Sequence, residues 1–322
     1  MARNLEALVP LVRELGPALI AFCTDDRDPD DIVDDGHING MVRKAVAAGV
    51  KPADAIVCAT RNPAVWHGLH HLGAVAPGYQ ADLLLLPDLD SFQPELVLKA
   101  GRRVGEIARP DVPEWVRQSV RIAPLRKDAL TVPKYDRVRA IGLVPDQVVT
   151  ESLVEAPTVR DGEAVADADR DLAKIAVLER HLGTGRMGIG LVRGFGLKRG
   201  ALGSTVAHDA HNLVVVGMND ADLARVVERL AELGGGIVAV NDGAVLAELP
   251  LPVGGLLADL PLAEVVERSA SCTAVAEQLG CTGSTPFLTM SFLALSVIPS
   301  LKITDQGLVD VDRFELVPLE AE

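Results

Sequence analysis

An apolar run that stops at a pair of carboxylates constrains this chain more than any other stretch. Residues 18–27 read ALIAFCTDDR. A short continuous apolar run suits a buried strand, though periodicity alone leaves a buried helical turn open. Upstream, Leu5, Leu8, Val9 and Val12 fall at helical spacing within residues 4–15, where Pro10 implies a kink or a later start. Downstream, His37 precedes a helix with Ile38, Met41, Val42, Ala45 and Val46 on one face, closed at Gly49. Lys51-Pro52-Ala53-Asp54 opens another helix, which stops before Asn62-Pro63. The order helix, strand, acids, helix is that of a (β/α) barrel entered partway. Acids at the C-terminal end of a barrel strand stand on its catalytic face. An Asp there can bind a metal and accept a proton from metal-bound water. The competing reading is that Thr24 and the acids cap the next helix.

The following residues change character. Residues 81–86 read as a strand, and residues 95–98 and 102–104 as two more around a turn at Gly101. Residues 109–149 are punctuated by Pro110, Pro113, Pro124, Pro133 and Pro145 and read as a surface connector, with a strand near 147–150. Residues 161–171 are acidic and read as a solvated face. From Lys174 onward, KIAVLERH, IGLVRGFGL, GALGSTVA and NLVVVG are short apolar runs parted by glycines and polar turns, and they predict strands. DADLARVVERLAEL has Leu223, Val226, Val227 and Leu230 at helical spacing, an Asn219 or Asp220 cap, and glycines at 234–236 to end it. IVAVNDGAVLAELP predicts a hairpin turning at Asn241-Asp242-Gly243. Residues 261–279 predict another amphipathic helix. Strands, helix and hairpin in that order argue α+β for this part. The whole is expected to be α/β plus α+β. The expected parts are a barrel tail over 1–68, a small β domain over 69–108, a connector with a strand over 109–160, and an α+β C-terminal domain over 161–322.

Composition narrows the partners. Aromatic residues make up 3% of the 322, so the core must come from Leu, Val, Ala and Ile. A net charge of −14 repels phosphate backbones and argues against nucleic acid. No apolar stretch is long enough to span a bilayer, and the start lacks a signal-peptide pattern, so cytoplasm is expected. Cys23, Cys58, Cys272 and Cys281 form no CxxC pair, and free buried thiols are expected.

Four clusters could carry chemistry. GTGRMG at 183–188 has dinucleotide-loop spacing but precedes an apparent strand, so a turn-rich hairpin is expected. His67, His70 and His71 lie beside a helix-weakening Gly68 with no acid alongside, and read as a surface cluster. No nucleophile-elbow motif surrounds Ser204-Thr205. His208, Asp209, His211 and Asn212, in HDAHN, lie between apparent strands, where functional groups gather. Histidines there can bind metal, shuttle protons or hydrogen-bond a base edge; a satisfied polar turn is the alternative. No HxE…PCxxC pattern occurs, which excludes the zinc deaminases acting on nucleic-acid bases.

GAVAPGYQADLLLL is similar to the GxIxxGxxADLxxxD signature of the amidohydrolase superfamily. There the signature marks the small β domain after the barrel's last helix. More particularly, CTDDR, DDGHINGMVRKAV, KIAVLERH, GFGLKRGALGSTVAHDAHNLVVVG, LPLPVGGL and PFLTMSFLALSVIPSLKITDQGL together resemble the C-terminal half of the bacterial adenine deaminase family. The resemblance implies hydrolysis of adenine to hypoxanthine and ammonia at a binuclear divalent-metal site, manganese or iron. It implies that Asp25 is a metal ligand and proton shuttle, with Asp26 the alternative one residue on. It turns the HDAHN residues towards the substrate, and it implies a homodimer or larger. It also implies that the family's paired-His metal motif, which belongs to its N-terminal half, is not in this chain, so that the chain alone is expected to be inactive. A non-catalytic purine-binding or dimerisation module, or an amidohydrolase of another cyclic amidine, are the rival expectations.

Overall fold

The computed structural model describes residues 5–106, 111–126, 128–145, 147–283 and 285–322. The chain divides into two compact units, Ala2–Asp111 and Val112–Glu322.

Among its described residues, the first unit has five α-helices and a small sheet. The helices are α1 (Leu5–Leu15), α2 (Pro29–Asp35), α3 (Ile38–Ala47), α4 (Pro52–Ala59) and α5 (Arg61–Trp66). The strands are β1 (Leu83–Leu85), β2 (Leu96–Lys99) and β3 (Arg102–Arg103), joined antiparallel in that order. Helix α1 runs through Pro10, and Val9 and Val12 on its inner face join Val42, Ala45, Ala55 and Cys58 in one core. Pro10 is the sixth residue of the helix, so it supplies no N–H to the Glu6 carbonyl and one intrahelical bond is missing there.

One expectation is overturned here. The run at 18–23 is not a strand. Its burial alternates as a strand's would, with Phe22 in the core and Ala21 and Cys23 exposed, but its main chain is held by helix ends instead of a neighbouring strand. The Phe22 N–H donates to the Cys58 carbonyl at 2.9 Å, and the Asn62 amide donates to the Ile20 carbonyl at 2.7 Å. A strand exists only where a partner completes its ladder, and apolar pattern alone does not supply one.

The second unit combines helices with an eight-stranded, largely antiparallel sheet, in keeping with the α+β expectation. Helix α6 (Glu114–Arg117) is followed by β4 (Val132–Pro133), β5 (Val138–Leu143), β6 (Thr150–Glu155), β7 (Thr158–Arg160), β8 (Glu163–Val165), β9 (Leu172–Leu178), β10 (Met187–Arg193), β11 (Ala201–Ser204) and β12 (Leu213–Gly217). Then come α7 (Asp220–Leu233), β13 (Gly236–Asn241), β14 (Ala244–Pro250), α8 (Leu262–Gln278), α9 (Pro286–Leu293), β15 (Leu301–Thr304), β16 (Gly307–Asp310) and β17 (Glu315–Val317). The large sheet has the order β14-β13-β11-β12-β9-β10-β5-β6, antiparallel throughout except for the parallel pair β10–β5. Two three-stranded sheets, β4-β8-β7 and β15-β16-β17, accompany it.

Both faces of the large sheet are covered, which is why its central strands read as mostly apolar runs, with the buried Lys174 of β9 paired to Asp220. On β9, Ile175 and Val177 pack with Met290, Leu293, Ile303 and Leu308, while Ala176 and Leu178 face the layer containing α7. Leu223, Val226, Val227 and Leu230 of α7 are all buried. Each such side chain contributes about 1.5–3 kcal/mol of burial free energy. Gly203 on β11 lets α7 lie this close: a Cβ there would stand 2.2 Å from Val226 Cγ1. Asn219 caps α7 by accepting from the Asp222 N–H at 2.8 Å, and Gly234 ends it in the left-handed region at φ 70°. The predicted hairpin turns where expected, with positive φ at Asp242 and Gly243.

The stretch read as a connector is partly sheet. Strand β5 lies between β10 and β6, with Val138, Ala140 and Ile141 fully buried. The prolines that suggested a surface crossing flank this strand rather than interrupt it. The acidic residues 161–171 also do more than face solvent: Asp171 accepts from the Gly196 N–H at 2.7 Å, and Asp167 accepts from the Thr158 hydroxyl at 2.5 Å.

Candidate functional site

The β11–β12 connection carries the densest polar chemistry of the second unit. It contains HDAHN and begins at Thr205, which is fully buried. The Thr205 hydroxyl donates to the Gly255 carbonyl at 2.6 Å and accepts from the Gly236 N–H at 2.8 Å, which anchors the loop's start. The loop then closes on itself. The His211 N–H donates to the Ala207 carbonyl at 2.6 Å, and the Ala207 N–H donates to His211 Nδ1 at 3.2 Å. His211 takes φ 49° to do so.

That second bond fixes the imidazole tautomer. With Nδ1 accepting a main-chain N–H, the neutral ring carries its proton on Nε2. The ring is held neutral as well. Burial lowers the His211 pKa below the usual imidazole value, the neighbouring Arg180 guanidinium acts in the same direction, and Asp209 opposes it.

His208 and His211 are brought together, with ring centroids 5.8 Å apart and planes tilted by 51°. On α9, Phe292 stacks on the His208 ring at 5.0 Å, and the Ser291 hydroxyl accepts the His208 N–H at 3.3 Å. Asp209 is exposed, with a carboxylate oxygen 3.7 Å from His208 Nδ1. Asn212 is buried. Its amide donates to Asp305 Oδ1 at 3.1 Å, and its carbonyl oxygen accepts from the Arg180 N–H at 3.4 Å.

Arg180 underlies the loop. Its side chain is buried, and its guanidinium donates to the main-chain carbonyls of His211, Gly254 and Thr205. Burial lowers its pKa to about 10, so it stays charged. Gly255 makes room for it: a Cβ there would stand 2.6 Å from Arg180 Nη1, and φ is +71°. Next to it, Glu179 receives the N–H groups of Leu182 at 2.7 Å and Thr184 at 2.9 Å, and the Thr184 hydroxyl at 2.9 Å. These tie down the β9–β10 hairpin, so Gly183 and Gly185 belong to its turn, as expected, and Gly188 to β10, where it pairs with Val177.

Sequence reasoning named the four HDAHN residues but missed Arg180, Phe292, Ser291 and Asp305. One signal was available for Arg180. The run IAVL ends abruptly at Glu-Arg-His, and charges at the end of a strand buried on both faces must find partners.

In the first unit, Asp25 and Asp26 are exposed and follow the 18–23 segment. Asp25 has φ 54° and its Oδ1 accepts the Asp26 N–H at 2.9 Å. Thr24 Oγ1 lies 3.2 Å from His37 Nε2. The turn is braced by Arg27, which pairs with Asp35 at 2.7 Å. Lys44 and Arg27 together lower the Asp35 pKa to about 2. Asp28 is at the N-cap of α2 and makes no side-chain cap bond there. His67, His70 and His71 are exposed, as a surface cluster should be. Among the described residues, no group of three or more His, Cys, Asp or Glu side chains could hold a metal ion.

Residues 1–104 match the amidohydrolase family, and residues 147–315 match the family described as the adenine deaminase C-terminal domain. Over 318 residues, 98% of this chain, it is 45% identical to the adenine deaminase of Oleidesulfovibrio alaskensis, of which it covers 56%. It is 45% identical over its full length to the adenine deaminase of Methanothrix thermoacetophila, covering 57% of it. It is 44% identical over 98% of its length to adenine deaminase 2 of Carboxydothermus hydrogenoformans, again covering 57%. The chain belongs to the adenine deaminase family, and it spans a little over half the length of the curated relatives it matches. None of its helices, among the described residues, is long and apolar enough to cross a membrane.

Proposed function

We propose that this chain is part of an adenine deaminase that hydrolyses adenine to hypoxanthine and ammonia. The observation that carries the reading is the continuous 43–45% identity to proteins of that name, which runs through both units. In this reading Asp25 takes the proton of the attacking water and returns it to the departing amine, with Asp26 as the alternative. His208, Asp209, His211 and Asn212 contact the substrate. The enzyme works in the cytoplasm as a homodimer or larger, and uses divalent metal, manganese or iron, in a binuclear site. The described residues do not make such a site on their own: Asp25 is a single hard oxygen donor, suited to those ions but needing further ligands.

The test supplies the remaining length. The chain is co-expressed with the N-terminal portion of a curated relative that it does not cover, and hypoxanthine and ammonia are measured with manganese or iron present. Turnover that disappears in Asp25→Asn is the expected result. The reading is overturned if the pair is inert while the relative's own two portions, expressed separately in the same way, deaminate adenine. Binding of adenine without turnover in that setting would mark a non-catalytic purine-binding module.

A further inference from the structure

The purine reading leaves open what the HDAHN loop does to the substrate, and the following rests on that reading. We propose that Arg180 is a positioning residue that locks the β11–β12 loop so that His211 presents its Nε2–H as a hydrogen-bond donor to an unprotonated ring nitrogen of the purine.

The geometry argues this in three steps. First, the paired bonds between Ala207 and His211 hold the imidazole against its own loop, at 2.6 and 3.2 Å, and use up Nδ1. Nε2 meets no hydrogen-bond partner among the described residues, and the ring is only part-buried, so the donor is left for a ligand. Second, the loop cannot drift. Arg180 ties the carbonyls at its start and end, Thr205 and His211, to the turn at Gly254, and Asn212 is tied to Asp305. Third, the ring's setting favours the neutral donor. Burial lowers the His211 pKa most, the Arg180 guanidinium acts in the same direction, and Asp209 opposes it. A neutral N–H is matched by a neutral acceptor with an in-plane lone pair, which is what N1, N3 and N7 of a purine offer.

Adenine and its 1-, 3- and 7-deaza analogues are titrated against the full chain by calorimetry, and the same panel is read as KM on the reconstituted enzyme. Histidine labelled with 15N reports the His211 tautomer. His211→Ala is expected to weaken adenine about 5- to 10-fold, the worth of one hydrogen bond. His211→Gln, whose amide N–H reaches the same place, is expected to stay within about threefold of wild type. One deaza analogue should bind wild type more weakly by the factor lost in His211→Ala, and that variant should not discriminate against it. The 15N spectrum should show a protonated Nε2 and a bare Nδ1, and Arg180→Lys should disturb that pattern. If adenine is bound or turned over but His211→Ala is indifferent, or the proton sits on Nδ1, this inference is overturned and the deaminase reading stands. If no form of the protein binds or deaminates adenine, the deaminase reading fails and takes this one with it.

Discussion

The Asn212 side-chain amide donates to Asp305 Oδ1 at 3.1 Å, joining two buried residues 93 positions apart. Asp305 Oδ2 lies 2.9 Å from the Arg186 guanidinium, so one carboxylate binds the end of the HDAHN loop and the β9–β10 hairpin to the β15–β16 turn. Asp305→Ala would strand the Asn212 amide in the interior, at a cost of about 1–3 kcal/mol. For a unit of this size the thermal midpoint should fall roughly 2–4 °C per kcal/mol. Calorimetry checks this, and an unchanged midpoint would show the bond contributes nothing net.

Glu179 makes a prediction about acid. Burial raises its pKa, but the N–H groups of Thr184, Leu182 and His181 and the Thr184 hydroxyl outweigh this and hold it at about 2. A carboxylate depressed on folding stabilises the protein above its unfolded value and loses that contribution as pH falls through its folded value. The contribution should therefore fade between about pH 4.5 and 2. Glu179→Gln should be less stable than wild type at neutral pH, with the gap closing across that window. Urea melts at stepped pH measure the difference, and a gap constant with pH would contradict it.

Gly255 should tolerate no side chain. Its Cβ would stand 2.6 Å from Arg180 Nη1 and 2.7 Å from Val120 Cγ2, at a φ of +71° that disfavours L residues. Gly255→Ala should lower stability by more than the roughly 1 kcal/mol ordinary for a point substitution, and should loosen the HDAHN loop more than the sheet. Hydrogen exchange at residues 205–212 against β12 reads this directly.

The thiols should react unequally. Cys23 is exposed, whereas Cys58, Cys272 and Cys281 are buried. Burial raises the pKa of Cys272 and Cys281 to about 12, out of the reactive thiolate range. A disulfide reagent should label one thiol quickly in the folded protein, and Cys23→Ser should abolish that fast phase. Rapid labelling of more than one site would show that the cores open readily.

Sequence by itself determined the elements whose cause is local. Helix α7 begins and ends at the predicted residues because Asn219 and Gly234 act within one turn of the chain. The β13–β14 hairpin turns at Asp242-Gly243 because those residues accept positive φ. Strands β9 to β12 were legible because a strand buried on both faces must be mostly apolar. The family was legible too, since its motifs are contiguous. Partners distant in sequence decided the rest. Residues 18–23 are as apolar as a strand, yet the ends of helices α4 and α5 take their hydrogen bonds. Strand β5 was hidden among prolines, because its place beside β10 depends on a neighbour about 50 residues away. HDAHN could be named but not explained. The proton position on His211 is set by a local main-chain N–H, but the ring's charge and the loop's rigidity depend on Arg180, Gly254 and Asp305. Electrostatics and hydrogen bonding act through space at a few ångströms, and only the folded chain brings those groups within that reach.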